Sequence, residues 1–337
     1  MIIQITILGL NRIGTSAGLA LGRQPGQFER TGFDWQTSNA VRAGRMKAVD
    51  RVENNLPESV EKADVIFMNL PMHRVRETLQ AIAQRVRSEA IILDTSPAKA
   101  RVAAWVKELI PVRCHYVGIS PGLNPRFALD QSESIEGASA DLFENGAMAI
   151  AAQAGTPSGA ISLAADLAGL LGARPFFCDL AEMDGLTAST CLLPQLVSTA
   201  LLNATLGQPG WRDALKFAGA NYAATSSGIA WREESASLRE AALLNKTDLL
   251  RSLDATLAAL QALHTDIEND QAEALEKKLD GARTGRQEWL KELNQPGRQG
   301  NASLNTEMPK TGDFWKQQFG FLLRRPGAKT TPPGKKD

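Results

Sequence analysis

Gly9-Leu10-Asn11-Arg12-Ile13-Gly14 stands between a short β-branched run, Ile3 to Leu8, and an Ala/Leu-rich stretch. An acid, Asp34, follows about twenty residues past Gly14. These residue types at this spacing suit a dinucleotide. A helix leaving the end of a strand aims unpaired N–H groups and its positive dipole end at one spot, which favours a pyrophosphate. Asp34 suits a ribose 2′-hydroxyl and repels a 2′-phosphate, so NAD is favoured over NADP. Asn11 fills the middle glycine position of the usual pattern, which predicts a looser or shifted cradle. The alternative is a strand-turn-helix without a ligand.

The elements that must position these residues follow from the hydrophobic rhythm. Ala63-Asp64 leads into Val65 to Met68, and Asn69-Leu70-Pro71 then ends a strand and opens a loop over the expected cofactor. A helix is expected from His73 through Arg85. Further strands are expected at Ala90–Asp94, Val112–Ile119, Ala147–Ala151 and Arg174–Asp179. Alternation of this kind implies a mostly parallel sheet with right-handed crossovers, whose ligands sit beyond the carboxyl ends of the strands. After Leu180 the residues turn to Ala, Leu, Glu and Arg. Leu243 through Leu263 and Leu275 through Trp289 read as long helices with broad apolar faces, suited either to a dimer interface or to packing inside one chain. The resulting division is 1–180 for the nucleotide-binding part, 181–294 for the helical part and 295–337 for a largely disordered tail. Within that tail, 313–325 forms an aromatic, basic-flanked amphipathic segment suited to docking on the chain itself or on a partner.

The 337 residues are 43% hydrophobic and 22% charged, with a formal net charge of zero. No basic stripe precedes the tail, which argues against nucleic acid. No long apolar run and no signal peptide are evident, so a cytoplasmic protein without a membrane span is expected. Three cysteines, Cys114, Cys178 and Cys191, read as reduced core thiols.

Several separated segments resemble the prephenate and arogenate dehydrogenase family, over roughly Ile5 to Leu293. They are the Gly9–Ser16 turn; Ala63–Pro71; Ile91–Asp94 with Lys99; Tyr116 to Gly122, ending Ser-Pro-Gly; Cys191-Leu192-Leu193-Pro194-Gln195; and the Ala282–Trp289 helix. The resemblance implies an α/β Rossmann domain, a mostly parallel doubly wound sheet, followed by an all-α helical dimerisation domain. It also implies a homodimer that oxidises a small cyclohexadienyl substrate with NAD or NADP. Its cofactor residues fall on Gly9, Leu10, Asn11, Arg12, Ile13, Gly14, Asp34, Asn69, Leu70 and Pro71.

The departures fall where that family does its chemistry. The family's Gly-His-Pro histidine, which helps remove the proton of the ring hydroxyl, matches Ser120. The histidines of its Ser-His-Leu-Pro-His segment match Leu192 and Gln195. Its Asp-Val-Gly-Ser serine matches Pro97, with Ser96 adjacent, and its carboxylate-gripping arginine matches Ser227. Histidine is the natural base near neutral pH, and serine is not one unless it is activated. Of three histidines, His73 follows the Pro71 turn and either reaches the cofactor or is an exposed polar residue at a helix start, His115 faces away from Ser120, and His264 closes a Leu-rich helix as a surface charge partner. Ser120, Asp184 and Ser96 are therefore the catalytic candidates, with helix capping as the alternative role for Asp184. Asn124, Gln195 and Lys99 are the candidates for holding substrate, Lys99 from the loop after Asp94. Two functions stand: an NAD-dependent oxidoreductase with a diverged substrate, and a non-catalytic dinucleotide-binding relative acting as a sensor or partner subunit.

Overall fold

The computed structural model describes residues 2–128, 130, 132, 134–229 and 234–293, and all of them lie within one compact unit. The 313–325 segment lies outside the described residues.

β1 (Ile3–Leu8) runs into α1 (Arg12–Leu21), followed by β2 (Phe28–Phe33), α2 (Thr37–Arg45), the two-residue β3 (Arg51–Val52) and α3 (Leu56–Val60). β4 (Val65–Met68), α4 (Met72–Ile82), β5 (Ile91–Asp94), α5 (Lys99–Leu109) and β6 (His115–Pro121) continue the alternation. β7 (Ala147–Ala151), α6 (Ser158–Leu170) and β8 (Arg174–Cys178) complete one eight-stranded sheet, in the order β3-β2-β1-β4-β5-β6-β7-β8. Every pairing is parallel except β6 with β7. β4 and β5 are buried along their whole length, as the interior strands of a sheet covered on both faces must be, and their uninterrupted apolar runs reflect that. The sixth strand begins at His115 rather than Val112. Val112 is almost fully solvent-exposed, because the Cys114 N–H donates to Pro111 O at 2.9 Å and closes that stretch into a turn.

The helical part begins with α7 (Leu180–Thr187), a π turn at Ala188–Leu192 and α8 (Leu193–Leu206), one nearly continuous rod. α9 (Trp211–Ala214), α10 (Ala220–Ser226), α11 (Ser235–Leu244), α12 (Lys246–Glu268) and α13 (Ala272–Leu293) follow. The helix expected across Leu243–Leu263 is broken at Asn245, a buried residue whose amide donates to Asp184 O at 2.8 Å and Pro97 O at 3.3 Å. Its short polar side chain prefers those carbonyls to a helical position. The Leu face divides accordingly. Leu249 is buried, whereas Leu243, Leu250, Leu257 and Leu260 are exposed.

Contrary to the expectation of no long apolar run, the Leu180–Leu206 helix is, by length and composition alone, long and apolar enough to cross a membrane, and 22% of its most apolar stretch is buried. Its buried polar residues bind the rest of the fold. Ser198 donates to Thr225 O at 2.8 Å, and Asp184 accepts from α5. The thiols also depart from expectation: Cys114 and Cys178 are half-buried and Cys191 is exposed.

Candidate cofactor and substrate site

Gly9 takes φ +93°, and a Cβ there would lie 1.9 Å from Asn69 O. A Cβ on Gly14 would lie 1.9 Å from Gly9 O. Both glycines are thus required by close backbone approach, and the turn between β1 and α1 is drawn down against the end of β4. The Leu10 N–H donates to Asp34 Oδ2 at 2.7 Å, and the Gln36 N–H donates to Oδ1 at 2.7 Å. Asp34 is therefore fixed beside the turn. Burial raises its carboxyl above the ordinary value, and these two N–H donors pull it back. Each oxygen retains lone-pair capacity for a ribose hydroxyl.

Asn11 does more than loosen the cradle. Its Oδ1 caps α1, accepting from Ile13 N at 3.0 Å and Gly14 N at 3.4 Å, and it also accepts the Asn69 amide. The Asn69 Oδ1 in turn accepts from Thr95 Oγ1 at 2.8 Å, which ties the ends of β1, β4 and β5 together. The cradle fits a dinucleotide at its glycine turn and at Asp34. At the pyrophosphate position the Asn11 side chain already holds two of the N–H groups. Leu70 is buried and Pro71 exposed at the mouth. Arg12 does not face solvent. Its guanidinium donates to Gly137 O at 3.0 Å, pairs with Asp130 at 2.8 Å and packs 5.4 Å from the Phe127 ring, tying the loop after β6 onto α1.

Beyond β5 lies a buried polar cluster. Lys99, the first residue of α5 rather than a loop residue, is 0% exposed, as is Asp94. Its Nζ donates to Asp94 O at 2.6 Å and lies 3.7 Å from Asp94 Oδ2. Ser96 Oγ and Tyr116 OH donate to the same Oδ2 at 2.7 and 3.0 Å. Burial holds the Lys99 ammonium below the ordinary lysine value, against the pull of Asp94 and Asp184. Asp184 accepts from Lys99 N at 2.6 Å and Ala100 N at 3.0 Å, so its carboxylate caps α5 across the boundary between sheet and helices. Burial raises it above the ordinary carboxylate value.

Ser120 lies near the end of β6. By strand alternation it shares a face with Tyr116 and with Gly118, where a Cβ would meet Lys99 Cδ at 2.9 Å. Gln195, just past the π turn, donates through Nε2 to Cys191 O at 3.3 Å, and its Oε1 is buried without a partner among the described residues. Asn124 is committed elsewhere: its amide accepts from Arg126 N at 3.2 Å and donates to Asp141 O at 3.0 Å, which builds the loop after β6.

The histidines divide as follows. His115 pairs with Glu89 at 3.4 Å and His264 with Glu268 at 3.7 Å. His73 is largely covered rather than exposed, with Nε2 3.0 Å from Glu234 and Nδ1 buried without a partner among the described residues. Two surface recesses lie elsewhere, one of about 660 Å³ bounded by Trp211, Phe217 and Tyr222, the other of about 390 Å³ beside Pro57 and Gln84. Neither is lined by a strand-end residue, so the chemistry of the groups outweighs concavity in locating the site.

Sequence reasoning missed the way Tyr116 and Ser96 converge on Asp94 beside Lys99, and the bond from Thr95 to Asn69. The available signal was a lysine closely following an acid at the end of an apolar strand, with a tyrosine and a glycine on the neighbouring strand.

Residues 17–176 match the family described as Prephenate dehydrogenase, nucleotide-binding domain. The chain is 24% identical to the prephenate dehydrogenase of Bacillus subtilis (strain 168) over 284 residues, covering 80% of this chain and 72% of that protein. Among solved structures, prephenate dehydrogenase from A. aeolicus in complex with hydroxyphenyl propionate and NAD+ superposes with a TM-score of 0.75 at 17% identity, covering 86% of this chain and 99% of that one. Arogenate dehydrogenase from Synechocystis gives a TM-score of 0.66 at 24% identity, covering 85% and 100%.

Proposed function

We propose that the chain is an NAD-dependent oxidoreductase of the prephenate and arogenate dehydrogenase family, acting on a small cyclohexadienyl or hydroxy-acid substrate; support comes from the match of residues 17–176 to that family's nucleotide-binding domain and from the relatives of similar sequence. The observation that carries this reading is the Leu10 N–H to Asp34 contact of 2.7 Å, which fixes an acid beside a glycine turn that admits no side chain. The bound nicotinamide would supply hydride acceptance. The protein's own contribution is to bind and orient: Gly9, Gly14 and Asp34 for the cofactor, and Ser120 with Gln195 for the substrate's polar groups.

The substrate site departs from the family's chemistry. Ser120 and Gln195 stand where the resemblance puts histidines. Neither supplies a proton acceptor near neutral pH. Ser96 spends its hydroxyl on Asp94, and Asp184 engages both oxygens with α5, so these two act as positioning groups. Lys99 anchors the end of β5 and does not reach a free surface. These facts favour a substrate unlike prephenate, or turnover without strong base assistance. They also support the second reading, a dinucleotide-binding partner subunit.

The cofactor preference tests the first reading. Calorimetry should show tighter binding of NAD than of NADP, and Asp34→Ala should narrow the gap by removing the carboxylate that repels a 2′-phosphate. Equal or tighter NADP binding by the wild type contradicts the role given to Asp34.

We also propose a division into a nucleotide-binding part over 1–180 and a helical part over 181–294, with homodimerisation through the latter. The three cysteines, none of them in a disulfide, fit a reducing cytoplasmic setting. Support for the dimer comes from apolar side chains left exposed in one chain: Leu206 on α8, Leu250, Leu257, Leu260 and Ile267 on α12, and Leu279 and Trp289 on α13. Exposed apolar side chains concentrated on long helices suit an interface, and symmetric pairing is its common solution. Solution scattering at micromolar concentration should give twice the chain mass. A dilution-independent monomer contradicts it.

A further inference from the structure

Trp35 follows Asp34 directly, and its indole is 44% exposed. Phe33, the last residue of β2, packs against it edge-on, with centroids 5.5 Å apart and planes at 82°. Arg74, from the first turn of α4, sets its guanidinium carbon 5.3 Å from the indole centroid. β2 and β4 flank β1 on opposite sides in the sheet. Trp35 and Arg74 thus come from the loop after one flanking strand and the helix after the other, and they meet past the carboxyl end of β1, next to Asp34. Glu77 pairs with Arg74 at 3.3 Å, but both side chains are exposed, so this pair holds the guanidinium only loosely.

We propose that Trp35 and Arg74 form the adenine platform of the cofactor site, an indole and a guanidinium that stack with the base while Asp34 holds its ribose. The proposal rests on the NAD reading of the Asp34 site. A purine offers a π-face to any flat partner, and both aromatic rings and arginine planes take it. An adenine whose ribose sits on Asp34 lies within one nucleoside's length of Trp35. Covering the half-exposed indole adds apolar burial to the stack.

The test titrates the protein with 5′-AMP, nicotinamide mononucleotide and NAD, by calorimetry and by indole emission. The expected result is a change of emission on adding AMP or NAD that Trp35→Phe abolishes while keeping most of the affinity. Trp35→Ala and Arg74→Met should each weaken AMP and NAD by about tenfold and leave nicotinamide mononucleotide unchanged. Arg74→Met keeps the proposal falsifiable if the tryptophan variant folds poorly. NAD binding at wild-type affinity in both variants overturns the platform while leaving the Asp34 site standing. Failure of the wild type to bind either AMP or NAD overturns both.

Discussion

Asp94→Ala should destabilise the protein by about 3–5 kcal/mol in a urea melt, the largest effect expected of any single side-chain truncation here. The carboxylate is completely buried and accepts from Ser96 N, Ser96 Oγ and Tyr116 OH, with the Lys99 ammonium 3.7 Å away. Removing it leaves the buried Lys99 ammonium with the backbone carbonyl of residue 94 and the charge of Asp184, and strips two hydroxyls of their acceptor. Uncompensated buried charge is the costly part, so Asp94→Ala combined with Lys99→Met should recover much of the loss. A single variant within about 0.5 kcal/mol of wild type would show that the cluster tolerates its own removal.

Ser120→His should raise dehydrogenase turnover on prephenate or arogenate by about 10²–10⁴, the range of general acid–base assistance. Ser120 sits on the β6 face shared with Tyr116 and Gly118, at the end of the strand where substrate is expected. Space is the condition for the effect. The space over Gly118, on this same face, is already filled by the Lys99 stem, whereas Ser120 is half-buried, so a longer side chain there has a route outward. No gain, with NAD affinity unchanged, would place the missing base outside this position.

The parts of this site that could be read from sequence are those set by nearby residues. Gly9 and Gly14 are legible because φ +93° at Gly9, and a backbone oxygen that a Cβ at either position would meet at 1.9 Å, leave no choice of residue, and Asp34 because it follows them at the usual spacing. The strands were legible as uninterrupted apolar runs because both faces of β4 and β5 are covered. What depends on partners distant in the chain was not legible. Asp184 caps a helix that begins at Lys99, and nothing local to either residue announces the other. Lys99 is buried only because Gly118, on the next strand, makes room for its stem. Asn245 breaks a helix by bonding carbonyls at Asp184 and Pro97. The Leu periodicity around it could not say which leucines pack inside and which stay exposed, because that depends on which neighbours the broken helix meets.

The central claim is that this site transfers hydride to NAD. It is tested most directly by incubating the pure wild-type protein with NAD and with prephenate or arogenate, and following the absorbance of reduced cofactor. The account predicts slow formation that requires both substrate and NAD, increased in Ser120→His. Rapid turnover of prephenate by the wild type would uphold hydride transfer and show that a residue other than Ser120 or Gln195 supplies the base. One outcome contradicts the claim. No reduction in either protein, with NAD bound in both, would make this chain a dinucleotide-binding relative without catalysis.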